Sequence, residues 1–267
     1  MHFLDNVIDA NKYIIPQVEQ AVKRGRRIGL GVMGWADMLI KLKIPYNSEE
    51  ALKLAEKVMG FIEEKSHEYS KILGEERGNF PEFENSVWVK KGYKNLRNCT
   101  TTTVAPTGTI SIIAGGVSSG IEPIFSVSYM RNVEGSIGTN LFEVNQQFER
   151  MAMKMDFYSE DLLNKVSQRT SVQGISEVPE DIRGLFVTAH DVSPEWHIRM
   201  QAAFQKHTDN SISKTINMPM WATPKDIEQA YMMAWKLKCK GITVYRDQCR
   251  SSQVLSAFRS CPECAIG

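Results

Sequence analysis

The stretch CTTTTVAPTGTIS, residues 99–111, decides the fold class of this chain. Residues 99–105 are rich in β-branched side chains, which favours a buried β-strand. Residues 106–108, Pro-Thr-Gly, end that strand in a turn. Residues 109–111 then lead into a segment of helical character. A strand that passes through a tight turn into a helix is a building unit of α/β sheets, so this stretch predicts that class.

A long helix is predicted before this stretch. Residues 47–76 have amphipathic periodicity, with Asn47 or Ser48 as the N-cap and Gly78 just past the end. We expect this helix to bury a stripe made of Leu54, Val58, Phe61 and Ile62.

Helices and short strands also alternate after the stretch, which is typical of a largely parallel sheet. Neither an internal repeat nor a linker occurs before about residue 250. We therefore expect one domain over residues 1–250 and a short cysteine-containing tail over 251–267. The predicted elements are a helix over 143–153, a strand over 185–189, a helix from Pro194 capped by Ser193, a strand over 211–217, a helix opened by a capping box at 223–226, and a strand over 241–245.

Composition and charge exclude several classes of protein. The 267 residues are 42% apolar and 24% charged, which are globular values and exclude a disordered chain. A net charge of +1 gives no basic excess for wrapping nucleic acid. No apolar run approaches the roughly 20 residues of a membrane span, and the acidic N-terminus does not resemble a secretory signal. We expect a cytoplasmic protein with no nucleic-acid or membrane partner.

The glycine motif at residues 29–34, GLGVMG, matches the dinucleotide fingerprint G-x-G-x-x-G. That fingerprint requires a preceding strand, and the basic residues 23–27 leave almost no room for one. We interpret the glycines as positions where two backbone segments pack closely before a helix over 35–42.

The turn in the opening stretch is a candidate anion site. Free backbone N–H groups at a helix start favour negative charge, and nearby hydroxyl groups can add donors. A plain strand-to-helix turn is the alternative, which the residues alone leave open. The candidate residues are Pro106, Thr107, Gly108, Thr109, Ile110 and Ser111.

Five cysteines are an odd number for a chain of this length, which argues against a framework of disulfide bonds. We therefore expect the protein in a reducing compartment. Cys261 and Cys264 form a C-x-x-C pair, which can be a redox pair, half of a zinc site or a pair without a role. We expect Cys99, at the start of a predicted strand, to be a packing residue.

The histidines do not predict a metal site. His190 and His197 are seven residues apart, but Pro194 starts a helix between them and prevents a shared helix face. We expect these two and His207 to make structural hydrogen bonds.

Five stretches in family order resemble the C-terminal part of the catalytic chain of ribonucleotide reductases, with the best match to the adenosylcobalamin-dependent class II. Together they extend over nearly the whole chain. They are HFLDNVIDANKY (2–13), RRIGLGVMGWADML (26–39), APTGTISIIAGGVSSGIEPIF (105–125), HDVSPEWHIRMQAAFQKHTDNSISKTINMP (190–219) and KGITVYRD (240–247).

The resemblance implies half of a ten-stranded α/β barrel. It implies that residues 106–111 bind the diphosphate of a ribonucleoside diphosphate, or the phosphates of a triphosphate. It implies radical chemistry, in which the cofactor adenosylcobalamin generates a thiyl radical on a cysteine of the motif N-x-C-x-E. Val244 precedes Tyr245 where reductases fed by a radical-generating subunit carry two adjacent tyrosines, which favours the cobalamin class.

The motif N-x-C-x-E does not occur in these 267 residues. We therefore expect the radical cysteine and its base on another polypeptide, the N-terminal half of the reductase, and no catalytic residue here. The resemblance further implies that Cys261 and Cys264 are a tail pair reduced by a thioredoxin-like partner. Two alternative hypotheses remain: a non-catalytic module that binds nucleotides or phosphate, and a redox or zinc-binding protein that works through its tail.

Overall fold

The computed structural model describes residues 1–131, 141–167, 169 and 171–249. Helices dominate, and the strands are short. The helices are α1 (His2–Ala10), α2 (Pro16–Gly25), α3 (Trp35–Leu42), α4 (Glu49–Arg77), α5 (Val87–Lys90), α6 (Ile110–Ile113), α7 (Gln146–Lys154), α8 (Glu160–Ser167), α9 (Glu180–Leu185), α10 (Pro194–Gln205) and α11 (Pro224–Lys236). The strands are β1 (Ser128–Arg131), β2 (Leu141–Val144), β3 (Thr215–Met218) and β4 (Thr243–Arg246).

Parallel pairing connects distant parts of the chain, as the sequence predicts. Leu30 bridges Thr102, and Val104 bridges Ile212, both in parallel. Strand β3 continues from the second bridge and pairs in parallel with β4. The predicted strand over 99–105 is therefore an extended segment with a parallel neighbour on each side.

The segment over 185–189 is less regular than predicted. Leu185 ends α9, and within this segment only Thr188 bridges another segment, at Ile124. The backbone N–H of Ala189 donates to the carbonyl of Ile124 at 2.9 Å. This short pairing still places residues 186–189 in the core, where they are buried.

The helix predicted over 143–153 starts later than expected. Glu143 belongs to β2, which pairs antiparallel with β1, and α7 begins at Gln146. Asn145 sets this boundary, because its side-chain oxygen accepts the N–H groups of Gln147 at 2.9 Å and Phe148 at 3.2 Å.

Helix α4 has the predicted ends, and three of the four residues of the predicted stripe, Leu54, Val58 and Ile62, are partly buried against the hydrophobic core. Ser48 caps it by accepting the N–H of Ala51, and Gly78 follows with a φ of +84°. The prediction that Phe61 is buried is wrong, since its exposed fraction is 62%. Met59 is fully buried, and two helical residues turn about 200°, which points Phe61 away from the core.

The main hydrophobic core joins α3, α4 and α10 to α7, α8 and α9. Within it, Trp35 meets Phe204 edge to face with ring centroids 4.9 Å apart. A second cluster joins α10 and α11 to the sheet through Ile216 and Met218 of β3. Alternate β3 residues, Thr215 and Asn217, are only half-buried. Helices therefore cover one face of β3, and polar groups line the other. Within the described ranges, no helix is long and apolar enough to cross a membrane.

Candidate functional site

The 105–111 loop lies where the central extended segment ends. It leaves that segment after Val104 and enters α6, which is a single turn of four residues. Gly108, Thr109 and Ile110 are exposed at the tip of the loop. The predicted order of strand, turn and helix is observed. The helix is so short that individual N–H groups, rather than a long helix dipole, supply any attraction for an anion.

Thr107 has an unusual backbone conformation, with a φ of +55°. This left-handed region costs a β-branched residue about 1–3 kcal/mol. The loop compensates with a hydrogen bond, because the Thr107 hydroxyl oxygen accepts the N–H of Gly120 at 2.7 Å. A hydroxyl that accepts in this way keeps its own proton available for another acceptor.

Three consecutive N–H groups are free at the tip of the loop. Among the described residues, the N–H groups of Gly108, Thr109 and Ile110 have no acceptor. Exposed N–H groups in succession, together with the Thr107 hydroxyl, form a set of donors suited to phosphate oxygens.

Ser111 supports the loop from inside. Its side chain is buried, its hydroxyl donates to the carbonyl of Gly108 at 3.3 Å, and its N–H donates to the carbonyl of Thr107 at 2.9 Å. A second hydroxyl, that of Ser119, lies 3.3 Å from the Ser111 hydroxyl. Thr109, in contrast, is exposed.

The return segment, residues 118–122, fixes the loop to the rest of the fold. The N–H of Ser118 donates to Asp37 of α3 at 2.7 Å. The buried hydroxyl of Tyr46 donates to the carbonyl of Ile121 at 2.7 Å, and burial raises the pKa of this tyrosine well above its usual value. Both ends of the return segment are therefore anchored by groups that precede it in the sequence by more than 70 residues.

The glycine motif has the packing role predicted for it. A Cβ atom on Gly29 would lie 2.3 Å from the Thr103 side chain, and one on Gly31 would lie 2.0 Å from the Thr103 carbonyl oxygen. Only glycine allows the two backbones to approach this closely. The helix predicted over 35–42 is α3, and Gly34 caps it with a φ of +72°.

A buried ionic cluster at the end of the return segment was missed from the sequence. Lys214 is fully buried, and its ammonium nitrogen lies 2.5 Å from a Glu122 carboxylate oxygen and 2.6 Å from Nδ1 of His197. The same nitrogen donates to the carbonyl of Thr215 at 2.5 Å. One sequence signal points to the burial of Lys214. Alternate residues of a strand face the same side, and Lys214 lies midway between Ile212 and Ile216, which are buried.

Burial controls the ionisation of this cluster. Burial, reinforced by the positive charge of Lys214, holds the pKa of His197 well below its usual value. Burial also lowers the pKa of Lys214, and the Glu122 carboxylate opposes that effect. His197 is thus neutral, and its Nε2 donates to the carbonyl of Ala189 at 3.0 Å.

The other histidines also make structural contacts. Nδ1 of His207 lies 2.8 Å from a Glu63 carboxylate oxygen, and the ring of His190 packs edge-on against Phe125. The prediction of structural hydrogen bonds is confirmed for His197 and His207. His190 makes a ring contact instead.

The cysteines divide into three described and two undescribed positions. Cys99 packs against the aromatic cluster of Phe80 and Trp88, and burial raises the pKa of its thiol, which confirms its packing role. Cys239 is half-buried, which raises the pKa of its thiol to about 11. Cys249 is exposed. The predicted pair Cys261 and Cys264 lies outside the described residues.

Comparisons with known proteins agree on one family. The family model described as "Ribonucleotide reductase, barrel domain" matches residues 1–245. The vitamin B12-dependent ribonucleoside-diphosphate reductase of Thermoplasma acidophilum is 53% identical over 255 residues, covering 96% of this chain and 33% of that protein. The reductase of the same name from Mycobacterium tuberculosis (strain CDC 1551 / Oshkosh) is 46% identical over 257 residues, covering 96% and 36%.

A solved structure supports the same grouping. The alpha subunit of the class Id ribonucleotide reductase from Actinobacillus ureae superposes with a TM-score of 0.75 at 25% identity, covering 92% of this chain and 44% of that chain. The chain spans about a third of the length of the two curated relatives named above.

Proposed function

Because the chain belongs to the ribonucleotide reductase family, whose barrel-domain model spans residues 1–245, we propose that it supplies the substrate-phosphate side of a reductase active site. The family resemblance found in the sequence is thereby confirmed, and the fold is part of the family's α/β barrel. The proposed reaction is the reduction of a ribonucleoside diphosphate to its 2′-deoxy form.

The observation that carries the proposal is the row of free N–H groups at Gly108, Thr109 and Ile110. A diphosphate presents several anionic oxygens, and exposed amides bind such oxygens without needing a cationic side chain. The strained backbone of Thr107 supports the same interpretation, because strain of this kind is concentrated at ligand-binding sites. The 105–111 loop would then hold the substrate by its phosphates.

We propose adenosylcobalamin as the cofactor, as in the relatives whose names include vitamin B12. When bound, this group supplies the radical that starts the reaction. The described residues line two cavities. One, of about 580 Å³, is polar and includes Glu180 and Arg183; the other, of about 470 Å³, includes Ile227 and Tyr231. Neither includes the 105–111 loop, and we assign no described residue to the cofactor.

The remaining parts of the reaction are proposed for other groups. A polypeptide that carries N-x-C-x-E would supply the radical cysteine and its base, since these 267 residues lack the motif. Cys261 and Cys264, in the proposed tail over 251–267, would pass electrons from a thioredoxin-like reductant, which suits the cytoplasm. Replacing both cysteines with serine should then abolish turnover with thioredoxin but spare turnover with a small dithiol.

Phosphate binding is tested with two variants of one residue. Gly108→Pro removes an N–H group and fixes φ, whereas Gly108→Ala keeps the N–H and its Cβ meets no atom within 4 Å. We expect the proline variant to lose most of the affinity for a ribonucleoside diphosphate in isothermal titration calorimetry and the alanine variant to keep it. Equal affinity in both variants, at equal thermal stability, would contradict the proposed site.

Catalysis is tested separately. The chain would be combined with a polypeptide carrying N-x-C-x-E, adenosylcobalamin and a dithiol, and 2′-deoxynucleotide would be measured. Product should depend on both polypeptides and on the cofactor. Diphosphate binding without product under these conditions would instead support a non-catalytic nucleotide-binding module.

A further inference from the structure

Lys214 carries a charge in the protein interior, where a charge is costly unless it is paired and all its donors are used. Its ammonium nitrogen faces three acceptors: the Glu122 carboxylate, Nδ1 of His197 and the carbonyl of Thr215. An ammonium group has three N–H donors, and a neutral amine has only two. The three acceptors therefore match the charged form of the lysine.

Of the three acceptors, Glu122 belongs to the return segment, which contacts the 105–111 loop. One oxygen of its carboxylate accepts from Lys214, and the other accepts the backbone N–H of Thr215 at 2.6 Å. The backbone N–H of Glu122 donates to the carbonyl of Ser119 at 2.9 Å. The end of the return segment is thus tied directly to the start of β3.

The neutral His197 connects Lys214 to a second backbone segment, at Ala189. His197 accepts from Lys214 through Nδ1 and donates through Nε2 to the carbonyl of Ala189. Ala189 in turn donates its N–H to the carbonyl of Ile124. Residues 122–124 are therefore held both through Glu122 and through the Ala189 backbone.

The return segment connects these contacts to the 105–111 loop through one hydrogen bond. Two residues before Glu122, the buried N–H of Gly120 donates to the Thr107 hydroxyl, and that bond accompanies the left-handed conformation of Thr107. A shift of residues 119–122 would move or break it. The three free N–H groups follow Thr107 directly, so their directions depend on the same bond.

We infer that Lys214 is a positioning residue for the 105–111 loop, acting through Glu122 and the return segment. The inference rests on the proposed function only in its choice of phosphate as the ligand. The effect of Lys214 on the position of the loop does not depend on what the loop binds. Lys214 contacts no substrate in this arrangement, since its three donors are all used inside the protein.

The test compares three variants of the 267-residue chain. Lys214→Met removes the ammonium group, and Lys214→Met with Glu122→Gln also removes the carboxylate charge, so that no unpaired charge remains if the single variant fails to fold. Asp5→Asn is the matched control, because Asp5 forms a buried ion pair with Arg26 and its hydrogen-bond and ion-pair partners do not include residues of the loop.

Two quantities are measured in each folded variant: hydrogen exchange of the Gly120 amide and the Kd for inorganic pyrophosphate. At conditions of equal global stability, we expect faster exchange at Gly120 in the Lys214 variants than in Asp5→Asn. We also expect pyrophosphate binding about 10-fold weaker, which corresponds to about 1.4 kcal/mol and to the loss of about one hydrogen bond.

Each outcome decides the inference. Unchanged Gly120 exchange in a folded Lys214 variant would overturn it, and so would equal acceleration in the Asp5→Asn control. If the unmodified chain does not bind pyrophosphate, the proposed function fails, while the Gly120 comparison still decides whether Lys214 positions the loop.

Discussion

The Thr107 hydroxyl oxygen accepts the N–H of Gly120 at 2.7 Å, thirteen residues further along the chain. This bond closes the base of the exposed loop and satisfies a buried backbone donor. It also explains why a β-branched residue, rather than glycine, occupies a position with a φ of +55°. Glycine would adopt this conformation freely but would leave the Gly120 N–H without a partner.

Removing this hydroxyl should therefore destabilise the protein. In Thr107→Val the shape is kept but the N–H of Gly120 loses its acceptor, at a cost of about 1–3 kcal/mol. Thr107→Ser keeps the oxygen and should cost much less. Urea unfolding of the two variants measures the difference, and equal midpoints would mean that water replaces the hydroxyl.

Gly31 should tolerate no side chain. A Cβ at this position would lie 2.0 Å from the Thr103 carbonyl oxygen, so Gly31→Ala must push two paired segments apart. We expect a loss of about 3 kcal/mol or more in the free energy of unfolding. Gly184→Ala is the control: it lies in α9 with no atom within 4 Å of the new Cβ, and it should be neutral or stabilising by about 0.5–1 kcal/mol. A Gly31→Ala variant as stable as the control would show that the segments can separate freely.

Features set by neighbouring residues could be predicted from the sequence. The starts of α4 and α11 follow from caps within a few residues, Ser48 with Ala51 and Thr223 with Asp226, and both caps are observed. The strand–turn–helix order around residues 99–113 is equally local. Such signals need no knowledge of the tertiary fold.

Features set by distant residues could not be predicted. Leu30 and Thr102 pair across 72 positions, and the basic run beside Leu30 gives no sign of this bridge. Glu122 and Lys214 meet across 92 positions, and nothing near either residue identifies the other. The site prediction therefore rests on the exposed loop and does not include the buried groups that support it.

Asp5 should be among the most sensitive positions outside the loop. It is fully buried and accepts from Arg26 at 2.9 Å, Asn98 at 2.9 Å and Arg97 at 3.2 Å. Burial raises the pKa of this carboxyl, but the hydrogen bonds and charges of its partners outweigh burial and lower it below 3.8.

Asp5→Asn leaves Arg26 with the exposed Asp9 as its counter-charge and should cost about 3 kcal/mol, the lower end of what breaking a buried ion pair costs. Glu19→Gln, which breaks an exposed pair with Lys23, should cost less than about 1 kcal/mol. Chemical unfolding checks both values. Similar losses in the two variants would show that burial of the Asp5 cluster contributes little.

His197 should make the stability of the protein depend on pH in a defined window. Its ring faces the ammonium of Lys214 and, more remotely, His190, and its pKa is held well below 6.5. Below about pH 6.5 the unfolded chain therefore binds a proton that the folded protein does not. Stability must fall as the pH is lowered from about 6.5 toward the depressed pKa, by at most about 1.4 kcal/mol per pH unit.

This dependence can be separated from that of the carboxylates. Asp5 and Asp209 have pKa values below 3.8, so their contributions are lost only at lower pH, below about pH 4. Urea unfolding between pH 7 and pH 5 should give a slope that is smaller in His197→Gln and retained in His207→Gln. A slope that survives unchanged in His197→Gln would contradict the prediction, because it would mean that His197 binds its proton equally in the folded and the unfolded chain.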